Sequence, residues 1–397
     1  MGARRLAVLA TEFPPGPGGI ATHAYQLSKH LAIGGWQVLI VTPQDYASEA
    51  EVSDFNSRQP FTIVPFGRVS KGPPETLRRA AVAFRAVKRH RADLLLATGA
   101  RAVGLAPLLA GWCRIPWVAV GHGTEFRDTG ASAGWMRWAF RKADAVVCVS
   151  EYTWNRMIGF DITPRQGRVI PNGADPEQFR VLSAQEVGAY RERLSLAGDR
   201  VMLSVGQVSA RKGQEIVIRA LPAVLRRVPN ARYLVAGLPT LAPQLTALAR
   251  ELGVEEHVRF LGRVGNEELV RLLNACDLFV MTSRHAPDGA FEGYGIAVVE
   301  AALCGKPAVV TANSGLTEAI QEGRTGLAVP EGDVEATAGA LAACLSDDES
   351  RRAMGAAARR RALAEQTWPN RIRSYDEVLR SLIKGSGRIG RPQPAVG

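Results

Sequence analysis

Short apolar runs alternate with longer amphipathic stretches along almost the whole of this 397-residue chain. That alternation is typical of repeated βα units, in which each short run is a buried strand of a parallel sheet. In the first half the predicted strands are 5–10, 36–42, 61–66, 93–97, 116–120, 144–149 and 168–170. In the second half they are 201–205, 231–236, 258–261, 277–282, 307–311 and 327–329. Each set is about what one Rossmann-like domain requires, and two domains are the default for a chain of this length.

The boundary between the two predicted domains lies near residues 172–185, in a polar stretch of the chain. We therefore assign residues 1–178 to an N-terminal domain and residues 179–366 to a C-terminal domain. Ligands of open α/β sheets bind at the carboxyl ends of the strands. We expect the functional residues in the loops that follow strands, around a cleft between the two domains.

The end of the chain is predicted to be helical. Residues 336–384 have a helical pattern that is interrupted at Trp368-Pro369, so that 367–385 is a separate last helix. Residues 386–397, rich in Gly, Pro and Arg, predict a disordered tail.

The formal charge of +11 is concentrated in the first half, where residues 1–180 hold 22 Lys and Arg against 14 Asp and Glu. Such an excess suits an anionic partner, whether membrane lipid, nucleic acid or a phosphorylated substrate. The sequence contains no zinc-finger, RNA-binding or basic-zipper signature, so a nucleic acid is not favoured.

Compartment and metal chemistry are also constrained. No apolar run reaches the roughly 18 residues that a membrane-spanning helix requires. The run Leu6–Ala10 is too short for the core of a signal peptide. The five cysteines have no paired spacing, which argues against disulfides and against zinc. We therefore expect a cytoplasmic protein without a bound metal or other cofactor.

The strongest candidate site is Phe291–Pro307, which follows a predicted strand and opens a helix. Gly293 and Gly295 permit close approach of the backbone, and the free N–H groups of a helix start can hold a phosphate. Glu292 lies just before this helix and Glu300 eight residues further on, or about 12 Å along a helix axis. A nucleotide-sugar lying along this helix would place its diphosphate at the amides and its sugar hydroxyls near the carboxylates. A helix start loosened by glycine, with two incidental acids, is the alternative interpretation.

A second candidate is Ser204–Gly213, after the first strand of the C-terminal domain. Its glycine turn leads to the adjacent cations Arg211 and Lys212. Two such charges could neutralise a diphosphate leaving group, where a metal ion would otherwise be needed. A solvated basic turn fits the same residues.

A third candidate is Pro14–Ile20, a glycine-rich turn between the first strand and the first helix. The backbone amides of Gly18 and Gly19 could contact phosphate or an acceptor. The segment is neither a GxGxxG motif nor a Walker loop, so dinucleotide and ATP chemistry are not favoured. A plain tight turn is the alternative.

A fourth candidate is Val120–Glu125, in which His122 lies between two glycines after a strand. Such a histidine could bind a sugar hydroxyl or stabilise charge at the reacting carbon, and Glu125 is a weaker candidate of the same kind. Taken alone, a histidine in a loop is more often structural.

Taken together and in this order, these segments resemble the family-4 glycosyltransferases, a large retaining group with the GT-B fold. The resemblance covers about residues 8–330. Its seven parts are Phe13-Pro-Pro with Gly18-Gly-Ile, His122-Gly-Thr-Glu, Pro171-Asn-Gly-Ala-Asp, Val205-Gly-Gln with Arg211-Lys-Gly, Leu261-Gly-Arg-Val, Glu292-Gly-Tyr-Gly-Ile with Glu300, and Ser314-Gly with Glu318. It implies two Rossmann-like domains that face each other across a cleft, with the last helix crossing back to the N-terminal domain.

The resemblance implies that the C-terminal domain binds a nucleotide-diphosphate-sugar donor, such as GDP-mannose or a UDP-hexose. Arg211 and Lys212 would hold the diphosphate, helped by the backbone N–H groups of Gly295 and Ile296. Glu300 would hold the ribose.

The resemblance gives the other residues contacts around the sugar, the base and the acceptor. Glu292 would bind the transferred hexose, and His122 would contact it near the reacting carbon. Arg263 and Val264 would border the nucleobase. Gly18-Gly19 would lie beside the acceptor and the diphosphate.

The chain departs from the family pattern at two positions. Tyr294 stands where Phe is usual, and Leu316 replaces a second glycine, which puts a ligand contact by that loop in doubt. The stretch 284–291 is similar to that of mannosyltransferases that modify phosphatidylinositol glycolipids. The family mechanism is a metal-independent, same-face displacement in which the departing phosphate takes the proton of the acceptor hydroxyl.

Residues 75–91 predict an amphipathic helix with Leu77 and Phe84 on one side and Arg85 and Arg89 on the other. Its basic face could dock on an anionic membrane and so place the enzyme at the inner surface of the membrane. A packed helix with a solvated outer face is the equally simple interpretation.

Two other functions remain open from the sequence alone. The chain could be another GT-B enzyme, such as a nucleotide-sugar epimerase or a phosphorylase, although no motif for a pyridoxal lysine is found. It could also be a non-catalytic protein that binds nucleotide-sugars.

Overall fold

The computed structural model describes residues 4–16, 18–45, 47–66, 73–126, 132–287 and 289–383. The chain divides into two compact units. Unit 1 extends to Gly173 and resumes at Trp368, and unit 2 is Ala174–Thr367. Every predicted strand is present, with bounds within about one residue of those expected from the sequence.

Unit 1 contains a parallel sheet of seven strands in the order β3-β2-β1-β4-β5-β6-β7. The strands are β1 (Arg5–Ala10), β2 (Gln37–Thr42), β3 (Thr62–Pro65), β4 (Leu94–Thr98), β5 (Trp117–Gly121), β6 (Ala145–Cys148) and β7 (Gly167–Val169). The central strands are continuous apolar runs because helices cover both faces of a parallel sheet. The side chains of Leu6, Val8 and Leu95 are accordingly fully buried.

Seven helices belong to the described part of unit 1. They are α1 (Gly19–Ile33), α2 (Glu49–Ser57), α3 (Pro73–His90), α4 (Ala100–Cys113), α5 (Ser132–Lys142), α6 (Glu151–Gly159) and, from the end of the chain, α15 (Trp368–Ile383). The last of these packs against α1, so the chain returns to unit 1 as expected for the GT-B fold.

Unit 2 contains a parallel sheet of six strands in the order β10-β9-β8-β11-β12-β13. The strands are β8 (Arg200–Val205), β9 (Ala231–Ala236), β10 (Val258–Gly262), β11 (Leu278–Met281), β12 (Ala308–Thr311) and β13 (Gly326–Val329). The α-helices are α7 (Ala184–Arg193), α8 (Gln214–Leu225), α9 (Ala242–Glu251), α10 (Asn266–Ala275), α11 (Ile296–Leu303), α12 (Leu316–Ala319), α13 (Val334–Ser346) and α14 (Asp348–Glu365).

The helical end of the chain has one break more than the sequence predicted. The break before α15 lies at the predicted place, and Pro369 occupies the helix start, where its missing N–H costs nothing. The other break, between α13 and α14, was not predicted. It has a local cause, because Asp347 Oδ1 accepts a hydrogen bond from Ser350 N over 2.9 Å and thereby caps α14. The predicted tail, 386–397, lies outside the described residues.

The cysteines of the chain are all unpaired. All five cysteines are free thiols; Cys113 is half-buried and the other four are buried. Within the described ranges no group of three or more His, Cys, Asp or Glu side chains could hold a metal ion. In the same part of the chain no helix has both the length and the apolar character that crossing a bilayer requires.

Candidate active site

The loops at the carboxyl edge of the unit 2 sheet are joined to one another by backbone hydrogen bonds. Gly237, after β9, donates to the carbonyl of Gly262, the last residue of β10, over 2.8 Å. Gly206, after β8, donates to Ala236 over 2.8 Å, and Arg284, after β11, donates to Arg211 over 2.7 Å. These bonds fix the relative positions of the loops that carry the predicted donor-binding residues.

Arg211, Lys212 and Glu292 form one hydrogen-bonded cluster. Oε2 of Glu292 accepts from Nη1 of Arg211 and from Nζ of Lys212, each over 2.7 Å. All three side chains are mostly buried. The structure therefore brings together residues that the sequence analysis placed on two parts of the donor, the hexose and the diphosphate.

The cluster carries a net positive charge at neutral pH. Burial opposes ionisation of Glu292, but the charges of Lys212 and Arg211 outweigh it and lower the pKa of Glu292 to about 2. With the carboxylate ionised, one of the two cations is neutralised. The remaining positive charge suits an anionic group such as a diphosphate.

The turn that presents the two cations is held by Gly213. This residue has φ 68° and caps a short 3₁₀ turn over Ala210–Lys212. A Cβ atom there would lie 1.8 Å from the carbonyl oxygen of Thr282. Thr282 Oγ1 in turn donates to the Gly213 carbonyl over 2.8 Å. Only glycine fits this close approach of two backbone segments.

Helix α11 begins at Ile296, four residues after Glu292, with Gly295 as its N-cap at φ 85°. Glu292 lies before the helix, as predicted, since Glu292–Gly295 is not helical. The expected separation of about 12 Å between Glu292 and Glu300 used the helical rise for all eight residues, so it does not hold for the residues that precede Ile296. Ile296 and Gly295 themselves lie at the helix start, as predicted, where their N–H groups are available to an anion.

The loop after β12 supports this helix start. Gly315 N donates to the Glu292 carbonyl over 3.2 Å. A Cβ atom on Gly315 would lie 1.9 Å from the Gly293 carbonyl oxygen, and one on Gly295 would lie 2.3 Å from a methyl of Leu316. Leu316 is fully buried. Leu316, which stands where the family has a glycine, is therefore a packing residue that supports the backbone of Glu292–Gly295.

Glu300 lies one turn into α11 and is 92% buried, with 8% of its surface exposed. Burial raises the pKa of Glu300 to about 7. Among the described residues no side chain donates a hydrogen bond to its carboxylate. A buried carboxyl group without a protein partner is costly, and it suits a ligand that supplies hydroxyl donors.

Arg263 and Val264 follow β10, at the same edge of the sheet but two strands away from β8. Arg263 is exposed and Val264 is half-buried. The structure does not place either of them in the Arg211–Lys212–Glu292 cluster.

In unit 1, His122 follows β5 and its ring is nearly buried. Its Nε2 lies 2.8 Å from Oγ1 of Thr98, the last residue of the neighbouring strand β4. Burial lowers the pKa of His122 to about 3, so the imidazole is neutral at physiological pH. Glu125 Oε2 accepts from the backbone N–H groups of His122 and Gly123, each over 2.9 Å. Glu125 therefore shapes the loop that presents His122.

Gly18 and Gly19 form the start of α1, and Gly18 has φ 131°. The Glu12 carboxylate lies against Gly18, 2.7 Å from where a Cβ atom would be. The negative charge of Glu12 repels a phosphate at the start of α1. The same carboxylate can accept hydrogen bonds from the hydroxyl groups of an acceptor.

Three residues around His122 were not predicted as site residues from the sequence. They are Thr98, His23 of α1, whose ring centroid lies 4.7 Å from that of His122, and Tyr375 of α15, whose hydroxyl lies 2.9 Å from His23 Nε2. The sequence carried a signal for His23, since this histidine lies three residues after Ile20 and four before Leu27, on the apolar face of α1, and the structure buries it fully. Nothing in the sequence linked it to Tyr375.

Comparison with known proteins agrees with the predicted fold and family. The sequence model described as Glycosyltransferase Family 4 matches residues 17–178, and that described as Glycosyl transferases group 1 matches residues 189–361.

Two relatives illustrate the similarity. The chain is 30% identical over 387 residues to the GDP-mannose-dependent alpha-(1-6)-phosphatidylinositol monomannoside mannosyltransferase of Mycolicibacterium smegmatis, with 94% of this chain and 98% of that protein covered. It is 27% identical over 382 residues to the protein of the same name from Mycobacterium tuberculosis, with 95% and 98% covered.

A solved structure of similar fold is that of Anabaena Alr3699/HepE in complex with UDP and glucose. The two structures superpose with a TM-score of 0.82 at 23% sequence identity. The match covers 96% of this chain and 100% of the Anabaena protein. This likeness confirms the GT-B fold. The two family models and the Mycolicibacterium smegmatis relative identify the chain as a member of glycosyltransferase family 4 and as a glycosyltransferase.

Proposed function

We propose that the enzyme transfers a hexose from a nucleotide-diphosphate-sugar to a hydroxyl acceptor with retention of anomeric configuration. The observation that carries this proposal is the Arg211–Lys212–Glu292 cluster, one loop before the free amides of α11. In this arrangement the diphosphate contacts the two cations and the N–H groups of Gly295 and Ile296.

The rest of the donor follows α11. The buried carboxyl group of Glu300, which has no hydrogen-bond donor among the described residues, accepts hydrogen bonds from the ribose hydroxyls. Glu292 contacts the hexose with the carboxylate oxygen that the cations leave available. Arg263 and Val264 border the base. GDP-mannose is the first donor to test, because the mycobacterial relatives are named as GDP-mannose-dependent.

Unit 1 supplies the groups on the acceptor side. His122 contacts the hexose near the reacting carbon as a neutral imidazole. Gly18 and Gly19, beside the carboxylate of Glu12, bind hydroxyl groups of the acceptor. The names of the mycobacterial relatives point to a phosphatidylinositol mannoside as the acceptor class.

The proposed reaction is a same-face displacement. The bond from the anomeric carbon to the diphosphate breaks, the acceptor oxygen bonds to the same face, and its proton passes to the departing phosphate oxygen. Arg211 and Lys212 stabilise the negative charge that develops on the leaving group. Because these cations supply the charge, we expect activity to persist in EDTA.

Nucleotide release tests the proposal. The full chain is mixed with a panel of nucleotide-sugars, with and without phosphatidylinositol mannoside, and release of the nucleoside diphosphate is followed. We expect slow hydrolysis of one donor and faster release with acceptor, a product with the anomeric configuration of the donor by NMR, and loss of release in Lys212→Met. The matched control is Gly188→Ala in α7, where an added Cβ meets nothing within 4 Å.

Failure of every donor, with and without the lipid acceptor, would refute the proposal. Interconversion of the nucleotide-sugar without release of the diphosphate would instead identify an epimerase.

We further propose that unit 1 docks on an anionic membrane. Two surfaces support this. The first is α3, on which Leu77 and the cations Arg85 and Arg89 are exposed, although Ala80 and Val87 of the same helix are buried. The helix is therefore both packed against the unit and basic on its outside, which combines the two interpretations left open by the sequence.

The second surface, here called the tryptophan surface, comprises Trp112 of α4 and Trp135 and Trp138 of α5. They are 55%, 44% and 36% exposed. Trp135 Nε1 donates to the carbonyl of Gly104 over 3.0 Å, which joins the two helices. The charged residues that line a groove of about 320 Å³ beside Trp138 are the cations Arg114 and Lys142 and the acid Asp144, so its net charge is positive. Indole rings next to cations are typical of surfaces that bind anionic bilayers.

Flotation with liposomes tests the docking. We expect the full chain to float with liposomes that contain phosphatidylglycerol and to remain unbound with pure phosphatidylcholine. Binding should weaken in Trp112→Ser/Trp138→Ser. It should also weaken in 0.5 M salt, because salt shortens the Debye length and screens the attraction between the basic surface and the anionic lipid. Absence of binding to both kinds of liposome at low salt would end this proposal.

A further inference from the structure

The hydroxyl of Thr98 faces a single hydrogen-bonding partner. Thr98 is fully buried at the end of β4, and its Oγ1 lies 2.8 Å from Nε2 of His122. Among the described residues its hydroxyl makes no other hydrogen bond. The register of the sheet holds the two residues together, since Thr98 pairs with Val120, two residues before His122.

The position of the proton in this hydrogen bond follows from which groups would be left unpaired. If His122 Nε2–H donated to Thr98, the buried hydroxyl hydrogen of Thr98 would have no acceptor, at a cost of about 1–3 kcal/mol. If Thr98 O–H donates to Nε2, no buried hydrogen is left unpaired. Nε2 then carries the lone pair, and the proton of the neutral ring lies on Nδ1.

The other nitrogen of His122 is the one that a ligand can reach. Nδ1 of His122 has no hydrogen-bond partner among the described residues. It is not fully enclosed by the protein, so a ligand can reach it. His122 therefore presents an N–H donor on its accessible side, rather than a lone pair.

A second hydroxyl–imidazole pair lies behind the first. The His23 ring packs edge-to-face on His122, at 80° between the planes, and its Nε2 lies 2.9 Å from the hydroxyl of Tyr375. Tyr375 makes no other hydrogen bond within the described chain, and Nδ1 of His23 is buried without a partner. Burial lowers the pKa of both imidazoles, so both rings are neutral at physiological pH, and the His23 ring restricts the plane of His122.

We propose that Thr98 is a positioning residue that holds His122 in the neutral tautomer protonated on Nδ1, so that His122 acts in transfer as a hydrogen-bond donor and never as a general base. This inference rests on the proposed role of His122 at the sugar. A donor on this side would bind a hydroxyl oxygen of the hexose and hold the ring in place as the bond to the diphosphate breaks.

The tautomer can be measured without any substrate. The imidazole nitrogens of the 15N-labelled full chain are observed by long-range 1H–15N NMR, and the His122 signals are identified among the six histidines by their loss in His122→Gln. We expect the Nδ1–H tautomer in the parent between pH 6 and 8, the same tautomer in Thr98→Ser, and loss of that preference in the isosteric Thr98→Val. An Nε2–H tautomer in the parent would overturn the proposal, whether or not Thr98→Val folds.

Kinetics give an independent readout. Thr98→Val should lower kcat about tenfold or more and leave the KM of the donor within about twofold, with recovery in Thr98→Ser. An unchanged kcat in Thr98→Val would also overturn the proposal. A parent with the predicted tautomer but without nucleotide release would instead refute the proposed function and leave the tautomer assignment intact.

Discussion

The ammonium group of Lys212 lies 2.7 Å from Oε2 of Glu292, so the cation and the acid that we assign to neighbouring parts of the donor belong to one cluster. The guanidinium of Arg211 reaches the same oxygen. A charge change at any one of these side chains must therefore alter the field that the others present to a diphosphate.

Replacing Glu292 by Gln should separate donor binding from transfer. The substitution removes the negative charge that offsets Arg211 and Lys212, so we expect the nucleoside diphosphate to bind about fivefold more tightly, which corresponds to roughly 1 kcal/mol. Turnover should fall about tenfold or more, because the hexose contact is lost. Calorimetry and nucleotide release measure the two effects. Weaker binding would mean that Glu292 chiefly holds the cations in place.

Nucleotide binding should release protons near neutral pH. Burial raises the pKa of Glu300 to about 7. Ribose hydroxyls that donate to the ionised carboxylate lower that pKa in the complex, so affinity should increase as pH rises through 7 and then level off. Calorimetry in two buffers of different ionisation enthalpy counts the released protons. In Glu300→Gln this release should vanish; an equal release in parent and variant would contradict the role of Glu300.

Gly213→Ala should disrupt the turn that presents the cations. The new Cβ atom would lie 1.8 Å from the Thr282 carbonyl oxygen at a φ of 68°. We expect a lower Tm and weaker nucleotide binding, because a backbone clash cannot be relieved by a change of rotamer. In Gly188→Ala, inside α7, alanine favours the helix by about 0.5–1 kcal/mol, so Tm should stay level or rise. Equal effects of the two substitutions would show that the close approach to Thr282 is unimportant.

His122 should make the folded protein sensitive to acid. Burial lowers the pKa of His122 to about 3, whereas in the unfolded chain it is about 6.5. Below that value the unfolded chain takes up a proton that the folded one refuses, so stability falls as pH decreases, by about 1.4 kcal/mol per pH unit. The Tm of the parent should therefore fall more steeply between pH 7 and 5 than that of His122→Phe. An equal dependence of Tm on pH in the parent and in His122→Phe would show that the folded protein accepts a proton on His122 as readily as the unfolded chain does.

The sequence predicted the strands because each is a short apolar run, and in a parallel sheet such runs are buried on both faces. The loops after those strands carry the predicted donor residues, and the fold brings Arg211, Lys212 and Glu292 into one cluster. What the sequence could not supply is side-chain pairing over long separations. Tyr375 and His23 are 352 residues apart in the chain.

The departures from the family pattern also have physical reasons that only the structure supplies. The side chain of Leu316 is fully buried and packs on Gly295 beneath the helix start. The hydroxyl of Tyr294 accepts a hydrogen bond from Gln366 Nε2 over 3.3 Å, which a Phe could not. Both substitutions stabilise the backbone around Glu292 and leave its carboxylate in the cluster.

In the proposed reaction, unit 2 binds a nucleoside diphosphate through Arg211, Lys212 and Glu300. Isothermal calorimetry with GDP and UDP on the full chain measures this binding without any acceptor. We expect saturable binding of at least one nucleotide to the parent and to Gly188→Ala, weakened about tenfold or more in Lys212→Met and in Glu300→Gln. Nucleotide binding of equal strength in the parent, Lys212→Met and Glu300→Gln would show that these side chains do not hold the diphosphate and the ribose.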